Sequence, residues 1–231
     1  MMKTIGLIGG TTWESTKEYY RIINQRVNQR LGGNHSGKII LYSFDFADLE
    51  ELVEKGDWRT VTKIMIDVAQ HLENAGAQLV LLCANTMHKM AEDISVNISV
   101  PLLHIVDVTA QAIQQKGLKT VGLLGTKITM QEPFYKKRLK EKFGLNVVIP
   151  DKQEREIIND IIFKELSSGQ LRASSKDKYL TVMSHLIDKH AEGIILGCTE
   201  IPLLIKQDDV DVPVFDTVAL HAEAAVNYAL R

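Results

Sequence analysis

The sequence repeats itself at about half its length, and this internal repeat constrains the fold more than any other feature. Residues 119–126 restate residues 3–10, an offset of 116 positions from 3 to 119, and residues 191–200 answer residues 76–85. The offset of that second pair is 115, from Cys83 to Cys198. Residues 212–215 further echo residues 100–103. Two nearly equal offsets indicate a duplicated unit, so we expect two related halves.

Each half reads as an alternation of strands and helices. The apolar run at residues 79–82, which ends at Cys83, is typical of a buried parallel strand whose C-terminal end meets a helix. Val61, Met65, Val68 and Leu72 recur at helical spacing just before it. We predict an α/β fold of two pseudo-symmetric domains, each a mostly parallel sheet flanked by helices, with the active site in the cleft between the domains.

The domain boundaries and several local elements follow from the same pattern. The first domain is expected to comprise residues 1–107 and 216–231, because the last helix is expected to pack back on it, and the second domain residues 108–215. Residues 100–107 read as a short strand and residues 85–94 as a helix. Ser15 or Thr16 is expected to cap the first helix.

Composition narrows the class of partner. The net charge of −2 gives no basic excess, so a nucleic-acid partner is not expected, whereas a small amino-acid substrate is. The apolar run near the N-terminus is too short for a signal peptide or a membrane span, which predicts a cytoplasmic protein without membrane association. In that compartment thiols stay reduced, so the two cysteines favour a chemical role over a disulfide.

The two cysteines occupy matching positions in the two halves. If equivalent strand ends face one cleft, Cys83 and Cys198 approach a ligand from opposite sides. Inversion at a carbon that bears an acidic proton needs this arrangement, because one group removes the proton and the other delivers a proton to the opposite face. Both cysteines are therefore predicted to be catalytic, as a thiol/thiolate pair whose roles exchange between enantiomers.

Small polar residues follow several of the predicted strands, where hydroxyls, amides and backbone N–H groups suit an α-carboxylate and an ammonium group. Each Thr or Asn fits an N-cap equally well, and capping is compatible with ligand contact. The candidate substrate-binding residues of this kind are Gly10, Thr11, Thr12, Asn85, Thr86, Thr126, Thr129 and Thr199.

Four motifs at residues 6–16, 83–86, 125–129 and 197–202 resemble the aspartate/glutamate racemase superfamily. Glutamate racemases usually carry His after the second Cys-Thr, whereas Glu200 stands there in this chain, so the sequence is similar to the aspartate racemase branch. The resemblance implies two domains with four-stranded parallel sheets, catalysis without pyridoxal phosphate or any other cofactor or metal, and a homodimer. It adds Glu200 to the candidate substrate-binding residues.

The resemblance departs from its pattern in the loop after the second strand. Aspartate-specific relatives are expected to bind the side-chain carboxylate through an Arg in this loop and a Lys in the second domain. The loop instead carries Asp48, Glu50 and Glu51, while Lys164 matches the family Lys and is also expected to bind substrate. The predicted activity is therefore a cofactor-independent amino-acid racemase for aspartate or a broader set of amino acids.

Other functions remain open at this stage. A maleate isomerase or a malonate decarboxylase would use the same site with one Cys as nucleophile or proton donor, and an amino-acid-binding protein would need neither thiol. A hydrolase with Cys83 as nucleophile and His88 as base is disfavoured, because His88 follows five residues later, off the face of Cys83. Dinucleotide binding is disfavoured because residues 6–10 do not form a GxGxxG motif.

Overall fold

The computed structural model describes all residues from Met1 to Arg231 and divides into two compact units. The first unit comprises Met1–His104 together with His221–Arg231. The second unit comprises Ile105–Leu220. One unit boundary coincides with the start of a helix at Ile105, and the other falls inside the last helix, which runs over Thr217–Ala229.

The first unit is built on a parallel sheet of three strands in the order β2-β1-β3. Its central strand β1 is buried at every residue, and Ile5 pairs with Ile39 of β2 and with Leu79 of β3. The elements of this unit are β1 (Ile5–Gly9), α1 (Trp13–Leu31), β2 (Ile39–Ser43), α2 (Phe46–Glu54), α3 (Trp58–Asn74), β3 (Leu79–Leu82), a 3₁₀ helix (Thr86–Met90) and α4 (Ala91–Ser95).

Helix α3 provides much of the core on one face of this sheet. Its buried residues Val61, Met65 and Leu72 lie on one stripe at helical spacing and pack with Ile8 and Leu82 from the strands. The apolar residues that recur at helical spacing in the sequence are therefore the ones that the helix buries.

The second unit contains a parallel sheet of four strands in the order β5-β4-β6-β7. Gly122 of β4 pairs with Ile194 of β6, and Ile194 pairs with Val214 of β7. The elements are α5 (Ile105–Gln115), β4 (Thr120–Gly125), α6 (Lys127–Gln131), α7 (Pro133–Phe143), β5 (Asn146–Val148), α8 (Lys152–Lys164), a 3₁₀ helix (Leu166–Ser168), α9 (Ala173–Asp188), β6 (Ile194–Gly197), α10 (Ile201–Leu204), a 3₁₀ helix (Gln207–Asp209), β7 (Val214–Asp216) and α11 (Thr217–Ala229).

The α/β class and the parallel sheets flanked by helices are confirmed, but the first sheet has three strands instead of the expected four. The strand expected at residues 100–107 is reduced to one parallel bridge between Val80 and Leu102. Pro101 has no N–H to donate to a ladder, and the chain enters α5 at Ile105, so too few extended residues remain for a strand.

Two helix starts also differ from the sequence-based expectation. Helix α1 is capped by Thr12, whose side-chain oxygen accepts a hydrogen bond from the Ser15 N–H at 3.4 Å, so Ser15 and Thr16 are not its cap. The helix expected over residues 85–94 is split into the 3₁₀ helix Thr86–Met90 and the short helix α4. None of the helices combines the length and the apolar character needed to cross a membrane.

Candidate active site

Cys83 directly follows strand β3 and is almost wholly buried, with 1% of its surface exposed. Its N–H donates to the carbonyl of Ile8 at 2.9 Å, so the parallel pairing of β1 and β3 continues to this residue. The pairing carries Cys83 to the C-terminal edge of the sheet, where open parallel sheets hold their ligands.

A hydroxyl from helix α1 fixes the backbone at Cys83. The Oγ of Ser15 donates to the carbonyl oxygen of Cys83 at 2.6 Å, and both groups are buried. The residues are 68 positions apart, and the sequence pattern predicts only a capping role for Ser15 or Thr16. The available signal was a small polar residue on the helix face that also carries Tyr19 and Ile23.

The glycine turn after β1 approaches another backbone closely. Gly10 has φ +80°, and a Cβ at this position would lie 2.2 Å from the backbone N and O atoms of Phe44, so only glycine fits. The Gly10 N–H donates to the Oγ1 of Thr16 at 2.8 Å. In the same turn the side-chain oxygen of Thr11 is buried and has no hydrogen-bond partner within the chain.

Beyond Cys83, Asn85 is buried and Thr86 begins the 3₁₀ helix. His88 lies one turn further along, and its Nδ1 donates to the carbonyl of Ala84 at 2.8 Å. The rings of His104 and His221 pack against the His88 ring at centroid distances of 4.8 and 5.6 Å. His88 is thus a packed interior histidine of the first unit.

His221 is the most constrained member of this histidine cluster. Its Nε2 donates to the carbonyl of Leu103 at 2.8 Å, and therefore its Nδ1 accepts from the hydroxyl of Tyr19, also at 2.8 Å. Burial, reinforced by the charge of His88, lowers the pKa of His221 to about 3, although the bond to Leu103 opposes the shift. His221 is consequently neutral at physiological pH.

Cys198 holds the matching position in the second unit, directly after strand β6, and is 7% exposed. The ends of β4 and β6 approach each other closely there. A Cβ added at Gly125 would lie only 2.8 Å from the carbonyl oxygen of Gly197. The hydroxyl of Thr217 donates to the carbonyl of Leu196 at 2.9 Å. This strand end is therefore also fixed by a buried hydroxyl from a helix.

The side chain of Glu200 lies against the Cys198 sulfur. The thiol donates to Oε2 of Glu200 at 2.9 Å, and the hydroxyl of Thr199 donates to the same oxygen at 2.8 Å. All three residues are buried, with Glu200 only 2% exposed. These three consecutive residues, all predicted from the sequence to belong to the site, thus hydrogen-bond to one another through their side chains.

Different surroundings act on the pKa values of the two thiols. Burial alone raises the pKa of Cys83 far above its ordinary value. Burial also raises the pKa of Cys198, and the charge and hydrogen bond of the Glu200 carboxylate raise it further. Backbone N–H groups of Glu200 and Thr199 hydrogen-bond to the Cys198 sulfur and act in the opposite direction.

Thr126 and Thr129 form the turn after β4. Thr126 is the N-cap of α6, and its Oγ1 accepts from the backbone N–H of Thr129 at 3.2 Å. The two hydroxyl oxygens lie 3.1 Å apart, and Thr129 is fully buried. Capping thus accounts for part of the role of Thr126, as the sequence analysis allowed.

The remaining candidate, Lys164, lies at the end of α8 with 72% of its side chain exposed. Its Nζ forms an ion pair with Asp160 at 2.7 Å, one helical turn earlier. A substrate contact through Lys164 stays a prediction. The carboxylates of Asp48, Glu50 and Glu51 are also exposed on α2, and Glu51 pairs with Lys55 at 2.5 Å.

Comparison with known proteins gives a consistent family. A profile of the Asp/Glu/Hydantoin racemase family matches residues 8–225. The broad-specificity amino-acid racemase RacX from Bacillus subtilis (strain 168) is 30% identical over 171 residues, which cover 74% of this chain and 73% of RacX.

Two solved structures match over the full length of both chains. A candidate Asp/Glu racemase from Yersinia pestis is 51% identical, with a TM-score of 0.93. An aspartate racemase homologue from Pyrococcus horikoshii OT3 is 40% identical, with a TM-score of 0.87. Both likenesses extend over the strand ends that carry the two cysteines.

Proposed function

Because the chain belongs to the Asp/Glu/Hydantoin racemase family, whose members are isomerases, we propose that Cys83 and Cys198 invert the Cα of an amino acid as a two-base pair. The observation that carries this proposal is the pair of buried thiols, each directly after a buried parallel strand, at an offset of 115 residues. Neither cysteine is in a disulfide, so both sulfurs retain their acid–base chemistry.

In the proposed reaction one sulfur is a thiolate and the other a thiol. The thiolate takes the Cα proton, forming an S–H bond as the C–H bond breaks, and the second thiol gives its proton to the opposite face of the carbanion. The thiolate has then moved from one cysteine to the other. The reverse reaction begins from that state, which is why both enantiomers are substrates.

Because the pKa values of both thiols are raised, the proposed reaction requires a group that stabilises the thiolate. A thiolate in a buried site needs positive charge or N–H donors nearby, and the N–H groups of Thr199 and Glu200 supply such donors to Cys198. We propose that the ammonium group of the substrate supplies further positive charge. The fraction of reactive thiolate is then largest on the alkaline side of neutrality, so kcat/KM should rise with pH over that range.

We further propose that small polar groups near the strand ends hold the α-carboxylate and the ammonium group. Thr11 supports this proposal, because its buried hydroxyl oxygen lacks a partner within the chain and burying such a group unpaired is costly. The other proposed contacts are Gly10, Thr12, Asn85, Thr86, Thr126, Thr129 and Thr199. Several of them also cap helices, and their N–H groups favour an anion.

For specificity we propose a range broader than aspartate alone. Residues 46–52 contain three carboxylates and no Arg, so this segment offers no cation for an acidic side chain. The likeness to the broad-specificity racemase RacX supports the same proposal, while the likeness to the aspartate racemase homologue keeps aspartate within the range.

The proposal is tested by incubating each enantiomer of the common amino acids with the purified chain in deuterated water, without added pyridoxal phosphate. Chiral chromatography should detect the opposite enantiomer, and mass spectrometry should detect deuterium at Cα. The Cys83→Ser/Cys198→Ser double variant is the control and should be inactive. Isomerisation of maleate without racemisation of any amino acid, or parent activity in the double variant, would contradict the proposal.

A further inference from the structure

Glu200 is a buried carboxylate held by two hydrogen-bond donors. Its Oε2 accepts from the Cys198 thiol and from the Thr199 hydroxyl, at 2.9 and 2.8 Å. Removing a carboxylate from water is costly unless hydrogen bonds or charges compensate it. The hydrogen bond from the thiol therefore helps to stabilise the buried carboxylate of Glu200 in this position.

The contact requires a proton on the Cys198 sulfur. An ionised carboxylate can only accept, so the sulfur must be the donor. A thiolate in the same place would set two negative charges 2.9 Å apart in a buried environment, where charge repulsion is strong. An ionised Glu200 therefore disfavours a thiolate at Cys198, which the N–H groups of Thr199 and Glu200 must stabilise when it forms during turnover.

We propose that Glu200 is a positioning residue that holds Cys198 as a thiol and directs its S–H bond, so that Cys198 is the proton donor of the resting enzyme. The inference deepens the proposed function and rests on it for its catalytic meaning. Burial raises the pKa of Cys83 as well, so Cys83 is the base once the ammonium group of the substrate favours its thiolate, for the enantiomer whose Cα–H faces Cys83.

The first half has no such carboxylate at the equivalent place. An offset of 115 relates Glu200 to Asn85, whose amide is neutral. The carboxylate effect is therefore specific to Cys198, and Cys83 serves as an internal reference in the same molecule.

Another titratable group near Cys198 is Tyr179 of α9, which also interacts with Glu165. Tyr179 packs in the same core cluster as Cys198, and its pKa is raised by burial and then by the negative charges of Cys198, Glu200 and Glu165. It stays neutral through the range in which thiols titrate. Removal of the Glu200 charge therefore leaves the Thr199 and Glu200 N–H groups as the main groups that favour a thiolate.

The test measures the alkylation rate of each cysteine by iodoacetamide between pH 6 and 10, with quantification of the labelled peptides. Glu200→Gln should speed the alkylation of Cys198 at pH 7–8 by about tenfold or more, which corresponds to a fall of about one unit in the pKa of that thiol. The rate at Cys83 should stay within about twofold of the parent. Glu141→Gln, which neutralises an exposed carboxylate on α7, is the matched control and should change neither rate.

If both cysteines of the Gln variant are labelled equally fast, that variant has failed to fold. Glu200→Asp then provides a second variant. Its shorter side chain weakens the contact with the sulfur, so Cys198 should label severalfold faster than in the parent. An unchanged or slower rate at Cys198 in the folded variant would overturn the inference.

The labelling result is independent of racemisation. If the chain racemises no amino acid but Glu200→Gln releases Cys198, the control of the thiol by Glu200 stands and the proposed function fails. If it racemises amino acids and Cys198 labels at the parent rate in the variants, the proposed function stands and the role of Glu200 is refuted. In the active enzyme Glu200→Gln should also shift the rise of kcat/KM to lower pH for the enantiomer whose Cα–H faces Cys198, since Cys198 is the base in that direction.

Discussion

The strand ends that carry Cys83 and Cys198 share their backbone design and differ in charge. Each cysteine follows a buried four-residue strand, and a helix hydroxyl fixes each strand end, through Ser15 to the Cys83 carbonyl and through Thr217 to the Leu196 carbonyl. The position two residues after the cysteine is an amide in the first half and a carboxylate, Glu200, in the second.

An amide and a carboxylate also occupy matching places at the opposite ends of the two sheets, where the N–H groups of Gln78 and Glu192 donate to the carbonyls of Thr4 and Thr120. The Gln78 side chain accepts from the N–H of Thr4 at 3.1 Å. In the second unit Glu192 accepts from the N–H groups of Lys119 and Thr120 at 2.6 and 2.8 Å. Matching places in the two units thus carry similar hydrogen bonds but different charges, so their acid–base properties need not be equal.

The largest expected effect is loss of either thiol. Cys83→Ser or Cys198→Ser should lower kcat for racemisation by about 10²–10⁴-fold, because a hydroxyl is a far weaker acid–base group than a thiol. Chiral chromatography measures the rate, and circular dichroism checks the fold. Retention of parent activity by one single variant would mean that the two strand ends do not share the chemistry.

Substitution of the glycine in the first half's turn by alanine should destabilise the fold far more than the same substitution at an unhindered glycine of the second half. Gly10→Ala forces a Cβ against the Phe44 backbone and should lower the free energy of unfolding by about 3 kcal/mol or more. Gly144→Ala also has a positive φ, of +68°, but nothing lies within 4 Å, so about 1 kcal/mol is expected. Urea unfolding compares them, and equal losses would contradict the close approach.

The histidine cluster of the first unit should make the free energy of unfolding decrease at acidic pH. The pKa of His221 is about 3 in the folded chain and about 6.5 when unfolded, so its contribution to stability is complete above pH 6.5 and declines as the pH falls toward 3. Between pH 6.5 and 5 the loss should be roughly 1 kcal/mol per pH unit. His221→Gln should reduce this slope in urea titrations, and an unchanged slope would assign it to other groups.

The two hydroxyls that fix the strand ends should contribute similarly to the free energy of unfolding. Ser15→Ala and Thr217→Val each remove a buried hydrogen bond from a hydroxyl to a strand-end carbonyl, at a cost of about 1 kcal/mol or more of unfolding free energy. Thr62→Val is the control, because its hydroxyl donates to the Trp58 carbonyl one turn earlier in α3 and is only partly buried. A large loss from one variant and none from the other would break the parallel between the halves.

The smallest effect is expected from Lys164→Ala. The side chain is exposed and its ion pair with Asp160 is of the i,i+4 type, so stability should change by less than about 0.5 kcal/mol. The KM values for aspartate and alanine should both stay within about twofold of the parent. A selective rise in the KM for aspartate would instead identify Lys164 as a contact of the acidic side chain.

Much of the architecture followed from local pattern. The apolar runs before Cys83 and Cys198 and the helical spacing in α3 predicted buried strands and an amphipathic helix, because burial of one face depends on the periodicity of neighbouring residues. The strand at residues 100–107 was predicted by the same reasoning and is absent, because Pro101 and the early start of α5 leave no room for a ladder.

The sequence by itself determined the α/β class, the internal repeat and the position of each cysteine at a strand end, since these depend on residue order and spacing. Only the tertiary structure decided that Ser15 holds the Cys83 carbonyl, that His221 joins Tyr19 to Leu103, and that the Glu200 carboxylate turns back onto the Cys198 sulfur. The first two contacts join residues 68 to 202 positions apart, and the third depends on a side-chain orientation. Such contacts arise from packing, which no local pattern encodes.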